Sequence, residues 1–250
     1  MVEDTLIAGV KMKNSDIMKR LRGPKGSVVT IKVLRRDTPE PIDFRITRDD
    51  IPLYSVDASY MVDPTTGYIR ISRFAADTAK EFAEAANKLL RKGMKNLIID
   101  LESNGGGYLN AAVEMAEHFL RDKDMIVYTK DRISPSTYFQ AKGDGGFLNG
   151  RVVIMVDEYS ASASEILSGA IQDNDRGIIV GRRTFGKGLV QRPFPFPDGS
   201  MIRLTVSKYY TPSGRSIQKP YEKGDAEGYQ MDLKRRYDHG EFYSADSIHL

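Results

Sequence analysis

Three short segments combine small residues with side chains that could act on a ligand. They are SNGGG (residues 103–107), SASASE (160–165) and GRRTFGKG (181–188), which we name the glycine, serine and lysine segments. Each segment follows a stretch that is typical of a strand. Sites in parallel α/β sheets collect at the carboxyl ends of strands, and small residues let a backbone approach a ligand closely. We therefore expect the chemistry of this protein at these three segments.

The lysine segment nearly matches a nucleotide-binding loop, since Gly181, Gly186 and Lys187 have the spacing of the phosphate-binding residues. Such a loop also needs a Ser or Thr after the lysine to hold a metal ion, and a helix that begins at the lysine. Here Gly188 follows the lysine, and the next residues include three prolines and do not read as a helix. The sequence therefore argues against a phosphate site, both on chemistry and on context.

The serine segment predicts two compatible roles. Ser162 and Glu165 fit a capping box, in which the glutamate at the start of a helix reaches back to the cap residue. A serine at this turn is also placed to act as a nucleophile, because the first amides and the dipole of the helix favour negative charge. Ala163 would supply one amide of an oxyanion hole. The glycine segment could supply the other, although it is equally compatible with a simple turn.

A serine nucleophile needs a base that accepts its proton. The three histidines lie late in a helix or in the C-terminal tail: His118, His239 and His249. This placement gives a Ser-His-Asp triad little support. A lysine can act as the base only as the neutral amine, which requires burial or nearby positive charge. Phe185 and Leu189 could give Lys187 an apolar surrounding, although a lysine in a glycine-rich turn is commonly solvated.

The rest of the chain supplies the elements that position these segments. The runs KNLIIDL (95–101) and RVVIMVD (151–157) are typical of strands covered on both faces. They alternate with amphipathic helices such as residues 78–93, whose predicted buried face is Phe82, Ala85, Ala86 and Leu89. From about residue 51 this alternation predicts an α/β core of largely parallel strands.

The first 50 residues are expected to form a separate small unit. Residues 3–10 read as a short strand and turn, and Ser15 is positioned to cap a short helix. Two β-branched runs, residues 27–36 and 41–48, predict a hairpin. At the other end of the chain the sequence becomes polar, and we expect an irregular course that includes at most a short helix.

Composition excludes several classes of protein. The chain has 250 residues, of which 40% are hydrophobic and 28% charged, as in a packed globular protein. The net charge of +3 is too small to indicate a nucleic-acid partner. The absence of cysteine excludes disulfides, thiolate metal sites and a cysteine nucleophile. No apolar run approaches the roughly 20 residues that a membrane helix needs.

Together the three segments resemble the motifs of the carboxyl-terminal processing peptidases, also called tail-specific proteases. The motifs are DLESNGGGYL (100–109), VDEYSASASEILSGAIQDNDRGIIVG (156–181) and TFGKGLVQ (184–191). The later run LTVSKYYTPSGRSIQ (204–218) is similar to the strand that follows the catalytic lysine in this family. The resemblance implies a crotonase-like (ClpP-like) α/β core and a serine endopeptidase with a Ser-Lys dyad, which uses no metal or cofactor.

The resemblance also implies a role for individual residues. Ser162 matches the nucleophile, Lys187, 25 residues later, matches the general base, and Gln191 matches the glutamine that orients the lysine. The backbone amides of Gly107 and Ala163 match the oxyanion hole. Four further residues fall on positions that support the site: Gly106, Glu165, Asp173 and Thr184.

Domain organisation and partners follow from the same resemblance. Residues 1–50 are similar to the second half of a PDZ domain, whose carboxylate-binding loop would precede residue 1. The peptidase core is expected at 51–225, and the irregular tail at 226–250 is expected to be truncated. The implied substrates are proteins or peptides with apolar C-terminal tails, and the implied location is the periplasm or cell envelope, reached by export.

Two other functions stay open at the level of sequence. One is a non-catalytic protein that keeps the fold and binds C-terminal tails. The other is an acyl-CoA enzyme of the crotonase type, which would place catalytic carboxylates in its pocket and would need no serine nucleophile. Activation of Ser162 towards an electrophile separates the first from a peptidase, and a lack of acyl-CoA binding would exclude the second.

Overall fold

The structure of the chain is a computed structural model. It describes residues 1–51, 53–131, 134–221 and 224–243. The chain divides into two compact units, Met1–Leu53 and Tyr54–Leu250.

The helices and strands of the described residues account for most of the predicted elements and add several more. The helices are α1 (Asn14–Leu21), α2 (Thr78–Arg91), α3 (Leu109–Glu117), α4 (Ala163–Asp173), α5 (Ala226–Gln230) and α6 (Asp232–Asp238). The strands are β1 (Val28–Val33), β2 (Ile42–Thr47), β3 (Val56–Met61), β4 (Thr66–Ile71), β5 (Asn96–Asp100), β6 (Met125–Lys130), β7 (Thr137–Gln140), β8 (Arg151–Val156), β9 (Ile178–Gly181), β10 (Leu189–Pro195) and β11 (Met201–Tyr210).

The first unit contains α1 and the hairpin of β1 and β2, which the sequence predicts. The two strands are antiparallel, with Val28 opposite Thr47. Arg48, just after β2, donates from Nε to the carbonyl oxygen of Leu21 at 2.7 Å and from Nη2 to that of Arg20 at 3.0 Å. The hairpin is thereby joined to the last turn of α1.

Two predictions for the first unit are wrong. Helix α1 begins one residue before Ser15, so this serine lies inside the first turn and does not cap the helix. Residues 3–10 form no strand, because the chain turns at Glu3, whose φ is 48°. Thr5 forms an isolated bridge with Val2, which also forms an isolated bridge with Ile31.

A five-stranded sheet, in the order β3-β4-β5-β8-β9, forms the core of the second unit. Strands β4, β5, β8 and β9 are parallel, and β3 is antiparallel beside β4. The predicted α/β class with largely parallel core strands is confirmed. The neighbours β5, β8 and β9 lead at their carboxyl ends into the glycine, serine and lysine segments respectively, so the topology brings the three segments to one edge of the sheet.

Helices fix this edge by burying nearly continuous apolar surface. The predicted face of α2 is buried at all four positions: Phe82, Ala85, Ala86 and Leu89. Helix α4 is buried at every residue from Ala163 to Ile171 and packs against α3 and β6. A helix held on all sides is a rigid base for the turn that precedes it.

A second sheet in this unit is antiparallel throughout, with the order β10-β11-β6-β7. The sequence does not predict this sheet, because Pro193 and Pro195 of β10 indicate only that this run is not a helix. β10 lies at the edge of the sheet, where a proline removes no ladder hydrogen bond that the neighbouring strand needs. Residues 191–205 of the β10–β11 hairpin are exposed.

The C-terminal part of the described chain is more regular than expected. The short helices α5 and α6 occupy most of residues 226–238. Residues 244–250, which contain His249, lie outside the described residues. Within the described part of the chain, no helix is long and apolar enough to cross a membrane.

Candidate active site

The serine segment turns sharply between β8 and α4. Ser162 immediately precedes the helix and has φ 57° and ψ −110°, a conformation that non-glycine residues rarely adopt. Strained strand-to-helix turns of this kind expose the nucleophilic serine in α/β-hydrolases. Ser162 itself is half-buried, whereas Ala161 and Ala163 on either side are buried.

The two neighbouring serines of the segment are buried and bonded to the backbone. The Ser160 hydroxyl donates to the carbonyl oxygen of Leu101 at 2.8 Å and accepts from the Asp157 N–H at 2.9 Å. The Ser164 hydroxyl donates to the carbonyl oxygen of Asn104 at 2.9 Å. Among the three serines, only Ser162 is therefore accessible to a substrate.

Glu165 joins the serine segment to the lysine segment. Its Oε2 accepts from the Ser162 N–H at 2.8 Å, which completes the glutamate half of the predicted capping box, and from the Lys187 N–H at 2.9 Å. Its Oε1 accepts from the Thr184 hydroxyl and the Gly186 N–H, both at 2.7 Å. Burial raises the pKa of the Glu165 carboxyl, and these four hydrogen bonds offset part of the rise.

The shared oxygen of Glu165 limits how far apart Ser162 and Lys187 can be. Because both backbone nitrogens contact Oε2, at 2.8 and 2.9 Å, they cannot be more than 5.7 Å apart. The Lys187 side chain is exposed, and among the described residues no hydrogen bond joins its amine to Ser162. The site thus holds the backbone of the lysine in place and leaves the residue exposed.

Among the described residues, no hydrogen bond joins Gln191 to Lys187. It lies on β10 directly after a register shift between Val190 and Gln191, opposite Thr205 of β11. Its side chain is exposed and has no hydrogen-bond partner within the described residues.

The glycine segment packs directly against the serine segment. The Asn104 carbonyl oxygen accepts from the Ala161 N–H at 3.0 Å and from the Ser164 hydroxyl at 2.9 Å. The Asn104 side chain donates to the carbonyl oxygen of Ile71 at 2.7 Å and accepts from the Gly106 N–H at 2.8 Å. Asn104 is fully buried and was missed from the sequence, although an Asn before glycines is a known turn-forming signal.

Gly106 and Gly107 require the absence of a side chain. Gly106 has φ 92°, and a Cβ on it would lie 2.5 Å from the Ala161 carbonyl oxygen and 2.8 Å from the Ala163 N. Gly107 bridges to Phe74, whose backbone a Cβ would also overlap. Neither the Gly107 N–H nor the Ala163 N–H has an acceptor among the residues that the structure describes. Two free amides therefore lie on touching segments beside Ser162.

Asp173 lies at the far end of α4, about 15 Å along the helix from the turn. Its carboxylate accepts from the Ser213 hydroxyl and N–H and pairs with Arg215. Burial alone would raise the pKa of Asp173, but hydrogen bonds from Ser213, Thr211 and Arg215 outweigh it and hold the pKa below its usual value. The residue anchors the run after β11 to α4 and does not reach Ser162.

The chain matches known proteins over most of its length. Residues 65–227 match the family described as Peptidase family S41. The carboxyl-terminal-processing protease of Synechocystis sp. is 41% identical over 204 residues, which cover 80% of this chain and 47% of that protein. The carboxy-terminal processing protease CtpB of Bacillus subtilis is 38% identical over 219 residues, which cover 85% of this chain and 45% of that protein.

A solved structure also resembles this fold. The photosystem II D1 C-terminal processing protease matches with a TM-score of 0.61 and 29% identity, over 87% of this chain and 59% of that one. The chain spans about half the length of the curated relatives it matches.

Proposed function

Because the chain belongs to the peptidase family S41, we propose that it is the catalytic part of a serine endopeptidase that cleaves proteins near their C-termini. One observation carries this proposal within the chain itself. A single buried carboxylate, Glu165, binds the backbone of both Ser162 and Lys187. Two segments from different strands are thereby held together at the residues that a Ser-Lys dyad requires.

In the proposed mechanism Ser162 Oγ attacks the carbonyl carbon of the scissile peptide bond. Lys187, as the neutral amine, takes the hydroxyl proton and passes it to the leaving amine. The N–H groups of Gly107 and Ala163 bind the oxyanion that develops on the carbonyl oxygen. The C–N bond then breaks to give an ester on Ser162. Water attacks this ester as it gives a proton to Lys187, the bond from the acyl carbon to Ser162 Oγ breaks, and Lys187 returns the proton to Oγ.

Because Lys187 is exposed, we propose that the bound substrate itself shields its amine from water. A lysine acts as a base only as the neutral amine, which requires water to be excluded from it. A peptide bound across the site would exclude water from the amine and favour its neutral form. Gln191 is proposed to orient the amine when the peptide is bound.

The exposure of Lys187 also favours a second candidate, a protein that binds C-terminal tails without cleaving them. Labelling with a fluorophosphonate, followed by mass spectrometry of the modified residue, separates the two. We expect labelling at Ser162 and none in Ser162→Ala. The general base contributes about 10²- to 10⁴-fold, so Lys187→Ala should lose activity on this scale. Lys80→Ala, an exposed lysine on α2, should label normally.

Each result of this experiment has a definite meaning. Equal labelling of Lys187→Ala and the unmodified protein would refute the dyad. Labelling that persists in Ser162→Ala would place the nucleophile elsewhere. No labelling of the unmodified protein, with or without a bound peptide, would favour the tail-binding protein.

We further propose that the substrates are proteins with apolar C-terminal tails. Residues 1–50 are proposed to be the second half of a PDZ domain. The proposed location is the periplasm or cell envelope, reached by export. A PDZ domain would add the tail as a strand and hold its carboxylate. Cleavage of matched peptides that end in an apolar residue, an acidic residue or an amide tests the first point. Equal rates on all three would refute it, and fractionation of cells tests the location.

A further inference from the structure

Arg236 of α6 is almost completely buried, which the sequence alone does not indicate. Its side chain is 4% exposed, although α6 is a seven-residue helix near the end of the described chain. A buried guanidinium is costly unless its donors have partners. The partners of Arg236 therefore indicate what the residue holds.

The three nitrogens of the Arg236 side chain all donate hydrogen bonds. Nη2 donates to the carbonyl oxygen of Arg183, and Nη1 donates to that of Thr184 at 3.2 Å. Nε donates to Glu241 Oε1 at 2.9 Å. Two of these bonds fix the backbone of the lysine segment three and four residues before Lys187.

Glu241 connects the same two parts of the chain a second time. It accepts from Arg183 Nη2 at 2.7 Å and from Arg183 Nε at 3.1 Å, which is a two-pronged pair. Its side chain is 11% exposed. Burial would raise the pKa of Glu241, but hydrogen bonds from Arg183 and Arg236 outweigh it and lower the pKa. The carboxylate therefore stays ionised and paired at neutral pH.

The next residues of the lysine segment also contact the C-terminal part of the chain. Lys219 Nζ lies 4.3 Å from the ring centres of both Phe185 and Tyr229 and forms an ion pair with Asp232 at 2.8 Å. The Lys219 N–H donates to the Gly186 carbonyl oxygen at 3.0 Å. Every residue from 183 to 186 is thus held by groups that follow β11 in the sequence.

Thr184 is where this support meets the candidate active site. Its hydroxyl donates to Glu165, and its carbonyl oxygen accepts from Arg236. A cavity of about 760 Å³ lies between α4, the lysine segment and the C-terminal helices, and its lining includes all three of these residues. The segment therefore has room to move if one of its supports is removed.

We propose that Arg236 is a positioning residue for the general base: from α6 it holds the backbone of the lysine segment and thereby sets where the Lys187 amine lies relative to Ser162. The proposal rests on the proposed function, since it takes Lys187 as the base. It makes the C-terminal helices part of the catalytic assembly, although none of their residues reaches the reacting atoms.

The test compares Arg236→Ala with Arg235→Ala. Arg235 is the preceding residue, has the same charge, and is exposed without a side-chain partner among the described residues. Fluorophosphonate labelling of Ser162 is measured against pH, well below the unfolding temperature. A displacement of the base by about 1 Å can cost about 10²-fold. We expect Arg236→Ala to label about 10- to 100-fold more slowly and with a shifted pH midpoint, and Arg235→Ala to match the unmodified protein.

The pH midpoint separates positioning from simple stability, because a smaller folded fraction lowers the rate without moving the midpoint. An Arg236→Ala protein with a lower Tm but an unchanged rate and midpoint would overturn the inference. If this variant does not fold, two others replace it. Glu241→Gln keeps the shape but weakens both arginine pairs, and Arg236→Lys keeps the charge but cannot reach three acceptors. Both are expected to slow labelling and to shift its pH midpoint.

Hydrogen exchange gives a readout that does not depend on catalysis. We expect the amides of Gly186 and Lys187 to exchange about 10-fold faster in Arg236→Ala than in Arg235→Ala. Equal exchange would overturn the positioning role even if Lys187 is the base. Faster exchange in Arg236→Ala together with normal labelling of Lys187→Ala would instead refute the proposed function. The contact between Arg236 and the lysine segment would then have only a structural role.

Discussion

Replacing Gly106 with alanine should separate the glycine segment from the serine segment at the point where they touch. The new Cβ would lie 2.5 Å from the Ala161 carbonyl oxygen and 2.8 Å from both the Ala163 N and the Ser162 Cβ. The three neighbours belong to the turn before α4 and to its first residue, Ala163, and two of the three contacts are to backbone atoms. Since α4 is buried along its length, the turn cannot move away as a unit.

The size of the effect follows from two terms. Forcing an alanine to φ 92° costs about 1–2 kcal/mol, since an L-residue is strained in the left-handed region. Overpacking adds about 1–3 kcal/mol. The total of about 2–5 kcal/mol corresponds to a fall in Tm of about 4–20 °C for a chain of this size. The clash would displace the Ala163 N–H, which is one of the two proposed oxyanion-hole donors. Losing one such donor costs about 10²- to 10³-fold in rate, so labelling of Ser162 should fall on that scale.

Gly105 provides the matched control one residue away. A Cβ on Gly105 has no neighbour within 4 Å, and its φ is not positive. Gly105→Ala should therefore leave labelling unchanged and should raise stability by about 0.4–1 kcal/mol, because alanine restricts the unfolded chain. Thermal unfolding and fluorophosphonate labelling of both variants test the reasoning. Equal Tm values and equal labelling rates for Gly105→Ala and Gly106→Ala would refute it.

Two further predictions concern residues that hold the site from a distance. Ser160→Ala should lower the free energy of unfolding by about 1–3 kcal/mol, because it removes the hydroxyl partner of the Asp157 N–H and of the Leu101 carbonyl oxygen. Ser162→Ala should leave the free energy of unfolding unchanged. Equal losses for the two variants in urea unfolding would contradict the structural role of Ser160. Asp173 has a lowered pKa, so its stabilising contribution is present above its usual pKa of 3.8 and is lost as the pH falls through the folded value. Asp173→Asn should therefore lower Tm at pH 7, with a difference from the unmodified protein that shrinks below about pH 3.8, and a difference independent of pH would count against this ion pair.

The elements with strong local patterns could be predicted from the sequence. The apolar runs of β5 and β8 and the 3.6-residue period of α2 each contain the information that determines the element, because burial on one or both faces selects for it directly. The capping box at Ser162 and Glu165 is equally local. These features are enough to place the glycine and serine segments at the carboxyl ends of strands, whereas the pairing of β5 with β8 is known from the structure.

The second sheet could not be predicted, because its pairing is not local. β10 contains two prolines, and only its place at a sheet edge makes them acceptable. β7 of this sheet and β3 of the five-stranded sheet have no continuous apolar run. Their identity as strands depends on partners elsewhere in the chain, which one sequence does not reveal.

The same distinction applies to the candidate site. The sequence places three serines within five residues, and the resemblance, not the pattern, selects Ser162. In the structure the choice corresponds to a physical difference, since Ser160 and Ser164 are buried and bonded to the backbone. The pair of Arg183 and Glu241 joins residues 58 positions apart, and such a contact has no signature in local spacing.

At Ser162 the backbone conformation that favours glycine conflicts with the need for a hydroxyl in the proposed mechanism. With φ 57° and ψ −110°, the position suits glycine, and a non-glycine residue there costs about 1–3 kcal/mol. A mutation to glycine would thus be favoured by selection for folding and removed by selection for the hydroxyl. Under the proposed mechanism, a relative that keeps Glu165 but carries glycine here is expected to fold more stably and to lack catalysis.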